Sequence, residues 1–97
     1  MTWEELVASV TARYPLKESQ MFGMPCLKRE DGKVVAGYWK DGGLTVKLTD
    51  EAQREAALAL PGAALFDPGM GRVMREWVHV PAAQSGEWEQ LVEQAIG

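Results

Sequence analysis

Ninety-seven residues set the scale of one domain. With 46% hydrophobic and 25% charged residues, the chain has the composition of a packed core and not of a disordered tract. A net charge of -4 argues against sequence-blind binding of DNA or RNA, which relies on clustered Lys and Arg, so direct nucleic-acid binding is not expected.

The single cysteine, Cys26, leaves no internal disulfide and suits a reducing compartment. Met1–Val10 carries Glu4 and Glu5 where a secretory leader has a basic stretch. No apolar run approaches the ~20 residues that span a bilayer. The expectation is a cytoplasmic protein without a membrane partner.

Thr2-Trp3-Glu4-Glu5 has the spacing of a capping box. Trp3, Leu6, Val7, Val10 and Tyr14 then recur on one helical stripe, and Pro15 stops the helix by pushing Tyr14 out of the α region. Ser19–Arg29 is apolar and β-like but interrupted by Gly23 and Pro25. Proline inside a strand confines it to an edge or a bulge, so Gln20–Phe22 and Cys26–Arg29 read as one bent first strand. After the Asp31-Gly32 turn, two apolar runs, Val34–Trp39 and Leu44–Leu48, flank Asp41-Gly42-Gly43 and predict a hairpin. In its second arm Leu44, Val46 and Leu48 alternate with Thr45, Lys47 and Thr49, which predicts one buried and one wet face.

Asp50 and Gln53 form a second candidate capping box, with Asp50 and Arg54 paired at i,i+4, for a helix rich in small residues that ends at Pro61-Gly62. Ala63–Phe66 reads as a short strand, residues 67–71 as a loop and Val73–Val80 as the last strand. Along that strand Met74, Val78 and Val80 should point one way, and Val73, Arg75, Trp77 and His79 the other. Ser85 can cap a final helix with Trp88, Leu91, Val92, Ala95 and Ile96 on its apolar stripe. The predicted class is α+β: a two-layer, mainly antiparallel five-stranded sheet with helices packed on one face, in the order α-β-β-β-α-β-β-α.

Chemistry-bearing residues are few. Cys26 and His79 would make a nucleophilic pair only if they met in space, and Cys26 beside Pro25 and Leu27 reads equally as a small buried hydrophobe. One Cys and one His are too few for structural zinc. Gly69, Gly71 and Arg72 could form an anion-binding nest, although no Lys-Ser/Thr follows as in a P-loop; the plain alternative is a tight turn with Arg72 on Asp67. Trp39, Tyr38, Trp77, Lys47 and Arg75 could share the sheet face away from the helices, where aromatics among cations anchor a protein partner or stack bases. Met21, Met24, Met70 and Met74 read as core fillers or a soft interface. Lys28, Arg29, Lys33, Lys40 and Lys47 concentrate positive charge around the hairpin, while Glu76, Glu87, Glu89 and Glu93 crowd the C-terminal part. That basic hairpin suggests DNA contact as a third reading, against which the net charge counts. No catalytic residue, metal ligand or cofactor is assigned.

Met21-Phe22-Gly23, Gly32-Lys33, Gly37, Asp41, Gly43, Pro61-Gly62-Ala63, Phe66-Asp67, Gly71-Arg72, Met74, Trp77-Val78 and Val80 occur in an order and spacing that resembles the N-terminal domain of the TfoX/Sxy competence-regulator family. The MmcQ/YjbR-like proteins are a more distant likeness. The resemblance spans nearly the whole chain and implies a two-layer fold similar to type III secretion chaperones. It also implies a positive regulator of competence genes that cooperates with a transcription factor rather than acting by catalysis. The leading expectation for this chain is a non-enzymatic interaction domain that acts through a protein partner or by self-association as a homodimer. Full-length regulators of that family carry a second domain of helix-hairpin-helix type. The expected contact residues are Trp39, Lys47, Arg75 and Trp77.

Overall fold

The structure, a computed structural model, describes all residues except Phe22, Gly69, Met70 and Arg72. It is α+β, with an open antiparallel sheet of six strands rather than five.

Helix α1 (Trp3–Arg13) starts as its spacing predicts. Thr2 Oγ1 accepts the Glu5 N–H at 3.1 Å, and Glu5 Oε1 accepts the Thr2 N–H at 2.8 Å. It ends where Tyr14 turns extended ahead of Pro15.

The expected bent first strand is instead two strands. β1 (Lys17–Met21) and β2 (Met24–Lys28) fold back on each other, with Met21 opposite Met24 and Lys17 opposite Lys28. Gly23, at φ 74, lies in the turn between them. Pro25 fits inside β2 because β3 (Val34–Tyr38) pairs with it only from Cys26 onward. The prolyl nitrogen therefore has a ladder neighbour, Gln20, on one side alone. β3 and β4 (Leu44–Lys47) form the hairpin predicted around Asp41-Gly42-Gly43.

Helix α2 (Glu51–Leu58) is capped by Asp50, whose carboxylate accepts the Gln53 N–H at 2.9 Å. Arg54 does not pair with Asp50 as its spacing suggests. It donates to the Leu48 carbonyl at 2.9 Å instead and ties the helix to the end of β4. The chain then places β5 (Ala64–Phe66) at the sheet edge and returns through β6 (Met74–Val80), giving the order β1-β2-β3-β4-β6-β5.

A 3-10 turn, Ala82–Glu87, leads into helix α3 (Trp88–Ile96). Ser85 is not its cap; its hydroxyl accepts from the N-terminal ammonium at 3.1 Å.

The cross-strand row Leu27, Ala36, Val46 and Val78 lies under the helices. It shares one buried cluster with Leu6 and Val10 of α1 and with Trp88, Leu91 and Val92 of α3. Tyr38 belongs to this side and stacks on Trp3 at 5.6 Å. Arg13 joins the two outer helices by ion pairs to Glu89 and Glu93.

The opposite face carries no helix, yet it is not the wet face that alternation predicts. Thr45 is fully buried there. Met24, Phe66 and Trp77 form a second buried cluster, with Met21, Val34, Trp39 and Met74 packed half-buried around it. Strict alternation along β6 places Met74 on the Val78 side. Between Leu65 and Phe66 the β5–β6 register jumps from Val78 to Met74, and this irregularity breaks the alternation and brings Met74 to the Trp77 cluster.

Candidate functional site

The helix-free face is built around one close-packed cross-strand row. Cys26, Gly37, Thr45, His79 and Ala64 stand opposite one another across β2, β3, β4, β6 and β5. A side chain on Gly37 would sit 2.7 Å from the Met24 methyl and 3.0 Å from the Thr45 hydroxyl, so glycine is what lets Met24 lie flat over the sheet. The Thr45 hydroxyl has its own partner, the Gly37 carbonyl, at 3.3 Å.

This row settles the Cys26–His79 question. They share a face but stand three strand spacings apart, on the order of 14 Å, which no hydrogen bond spans. Burial pushes the Cys26 thiol above its ordinary pKa, against a smaller opposing pull from Lys28, and so away from the reactive thiolate. Among the described residues no group of three or more His, Cys, Asp or Glu could hold a metal ion.

His79 has another partner, one that sequence reasoning missed. Its Nε2 lies 2.9 Å from Asp41 Oδ2, bridging β6 to the turn of the β3–β4 hairpin. The Gly43 N–H holds the same carboxylate through Oδ1 at 2.9 Å. The ring covers Gly43 so closely that a Cβ there would fall 2.4 Å from His79 Nε2. Burial pushes the Asp41 carboxyl up, but the hydrogen bonds from Gly43 and His79 and the His79 charge outweigh it, and its pKa sits below the ordinary value.

Trp39 is the ring that reaches the surface. It is half-buried, packs edge-on against Phe66 at 4.9 Å and carries the Lys40 ammonium 5.2 Å above its face. A cleft opens on each side of it. One, of about 240 Å³, runs between Trp39, Phe66, Leu65, Asp41 and His79. The other, of about 530 Å³, lies between Trp39, Lys40, Met24, Pro25 and Pro68.

The four expected contact residues fare differently. Trp39 lies on this surface, and Lys47, half-buried, stands opposite Trp77 on the same face. Arg75 is exposed. Trp77 is only 7% exposed and belongs to the second core, because Phe66, Met24 and Met74 close over it; it is not a free contact ring. Of the proposed anion nest, Gly69 and Arg72 lie outside the described residues, and Gly71 is seen only as a positive-φ position, at 71°. Phe22 and Met70 lie outside them too.

Charge is unevenly spread: lysines gather on the helix-free face, although Asp41 and Asp67 line the smaller cleft beside Trp39, and most glutamates lie on the helices. Lys17, Lys28 and Lys47 register onto the helix-free face and Lys40 sits at its rim, and none has an ion-pair partner among the described residues. Glu4, Glu5, Glu51, Glu55, Glu89 and Glu93 lie on the helices. No helix among the described residues is long and apolar enough to cross a membrane. Comparison with protein-family models, with curated proteins and with solved structures finds no match to the chain.

Proposed function

We propose that this chain is a non-enzymatic interaction domain that binds an acidic surface of a protein partner through the helix-free face of its sheet. One observation carries this reading: that face presents Trp39 half-buried between two clefts, with the Lys40 ammonium over its ring and with Lys17, Lys28 and Lys47 elsewhere on the same face, none of the four ion-paired among the described residues. An amphipathic ring in a partly desolvated setting is the usual anchor of a protein contact. Lysines on the same face steer and orient an acidic partner. The buried Cys26 thiol, with His79 far from it, supports a role in binding and not in catalysis. The sequence likeness to TfoX/Sxy N-terminal domains supports the same reading and suggests a transcription factor as the partner; self-association is the homodimeric version of it.

The test is affinity recovery of the tagged chain from its native cells, beside Trp39→Ala and Lys47→Glu. A protein that co-purifies with the wild type, elutes with rising salt and is lost from both variants supports the proposal. A monomer that recovers nothing, or a partner held equally by both variants, overturns it.

A further inference from the structure

A separate feature lies at the end of the sheet, away from Trp39. Arg29 follows β2, Lys33 precedes β3, and Lys47 closes β4, with Thr49 just beyond it. The four side chains line one cleft of about 150 Å³, walled by Val34, Val35 and Ala95 of α3. No carboxylate lines it.

The positions are held by the backbone. The Arg29 N–H donates to the Lys33 carbonyl at 2.8 Å, and the Lys33 N–H donates to Asp31 Oδ1 at 3.0 Å. Arg54 grips the carbonyls of Leu48 and Thr49. Asp50, the next acid along the chain, turns its carboxylate to the Gln53 N–H. Asp31 reaches only the Arg29 Nε, at 3.9 Å, and Arg29 Nη1 touches the Ile96 carbonyl at 3.4 Å. Arg29 Nη2 and the ammonium groups of Lys33 and Lys47 have no partner among the described residues.

Three cations gathered in one cleft repel one another, and the arrangement becomes favourable when an anion enters. The free Arg29 Nη2 can donate to one oxygen of a tetrahedral oxyanion, two ammonium groups supply point charge, and a threonine hydroxyl supplies a neutral donor. We propose that this cleft binds an oxyanion of the phosphate class, either free phosphate or the terminal phosphate of a small metabolite. The site is distinct from the Gly69–Arg72 loop; it shares Lys47 with the helix-free face, but Arg29, Lys33 and Thr49 take no part in the Trp39 surface, so Lys33→Ala tests this cleft without touching the partner reading.

The experiment is calorimetric titration of the whole chain at low ionic strength, first with inorganic phosphate and then with AMP. One saturable site is expected, with a dissociation constant below about 1 mM. Lys33→Ala and Lys47→Ala should each weaken it on the order of tenfold, the loss expected for one hydrogen bond to a charged group. Lys40→Ala, outside the cleft, should leave it unchanged. Equal affinity for the two probes assigns free phosphate, and tighter AMP assigns a phosphomonoester. Absence of a saturable site, or equal weakening by Lys40→Ala and Lys33→Ala, overturns the proposal, the latter because it reports only a diffuse field. All three lysines are partly or fully exposed, so the variants fold.

Discussion

His79 on β6 and Asp41 in the β3–β4 turn meet at 2.9 Å, although thirty-eight residues separate them. The contact exists because β6 inserts beside β4, opposite the hairpin's own arm. It latches the turn that carries Trp39 and Lys40 to the strand that carries Trp77.

The latch gives the fold an acid-sensitive component. The Asp41 carboxyl has a lower pKa folded than unfolded, so the folded state gains stability that is full above the unfolded value of about 3.9 and is lost as pH falls through the folded one. Asp41→Asn should lower the denaturation midpoint at neutral pH. The gap from wild type should close below about pH 4. Urea titrations at several pH values check this; a gap that persists unchanged into acid would refute it.

Gly43→Ala should act on the same contact from the other side. Its methyl would occupy the place of the His79 ring, so the ring must swing off Asp41. The expected cost is about 1–3 kcal/mol. Because both changes break one contact, Asp41→Asn should cost less in the Gly43→Ala background than alone, which a double-mutant cycle measures. Gly86→Ala, where a Cβ meets nothing, serves as the control.

Trp77 and Trp39 should separate stability from binding. Trp77→Ala empties the second core and should cost about 3–5 kcal/mol, a large share of the 5–15 kcal/mol that holds a small domain together. Trp39→Ala should cost about 1 kcal/mol and leave cooperative unfolding intact. Chemical denaturation followed by circular dichroism distinguishes them, and comparable losses would place Trp39 in the core.

Tyr14 reports on the joint between α1 and α3. Its hydroxyl donates to Glu93 Oε2 at 2.9 Å, and this bond to the carboxylate, with some desolvation, holds the phenol above its ordinary pKa. Glu93 is held low in turn, by Arg13 first and Tyr14 second. In Glu93→Gln the Tyr14 transition should move down toward the ordinary tyrosine range, as read by spectrophotometric titration in a Tyr38→Phe background. An unmoved transition would mean that the bond does not form in solution.

Local signals were legible in the chain. The Thr2–Glu5 box, the Asp41-Gly42-Gly43 turn and the buried parity of Leu44, Val46 and Leu48 each depend on neighbours a few residues apart. What escaped depends on which strands lie side by side. Pro25 read as a strand breaker, and only the late start of β2–β3 pairing makes it harmless. Thr45 and Trp77 read as surface, but Phe66 and Met24, reaching over from β5 and β2, seal Trp77, and the Met24 methyl and the Thr45 hydroxyl crowd the same spot over Gly37. The same holds for the site: Trp39 and Lys47 were legible as aromatic and cation on one hairpin, whereas Asp41–His79 required knowing that β6 lies next to β4.

The central claim is that contact runs through the helix-free face. A photo-reactive amino acid placed at Lys40, at the rim of that face, and separately at Ala52, exposed on α2, tests it most directly. After irradiation in native cells, covalent adducts with an acidic protein or with a second copy of the chain should form from position 40 and not from position 52. Adducts from position 52 alone, or from both positions equally, would contradict it.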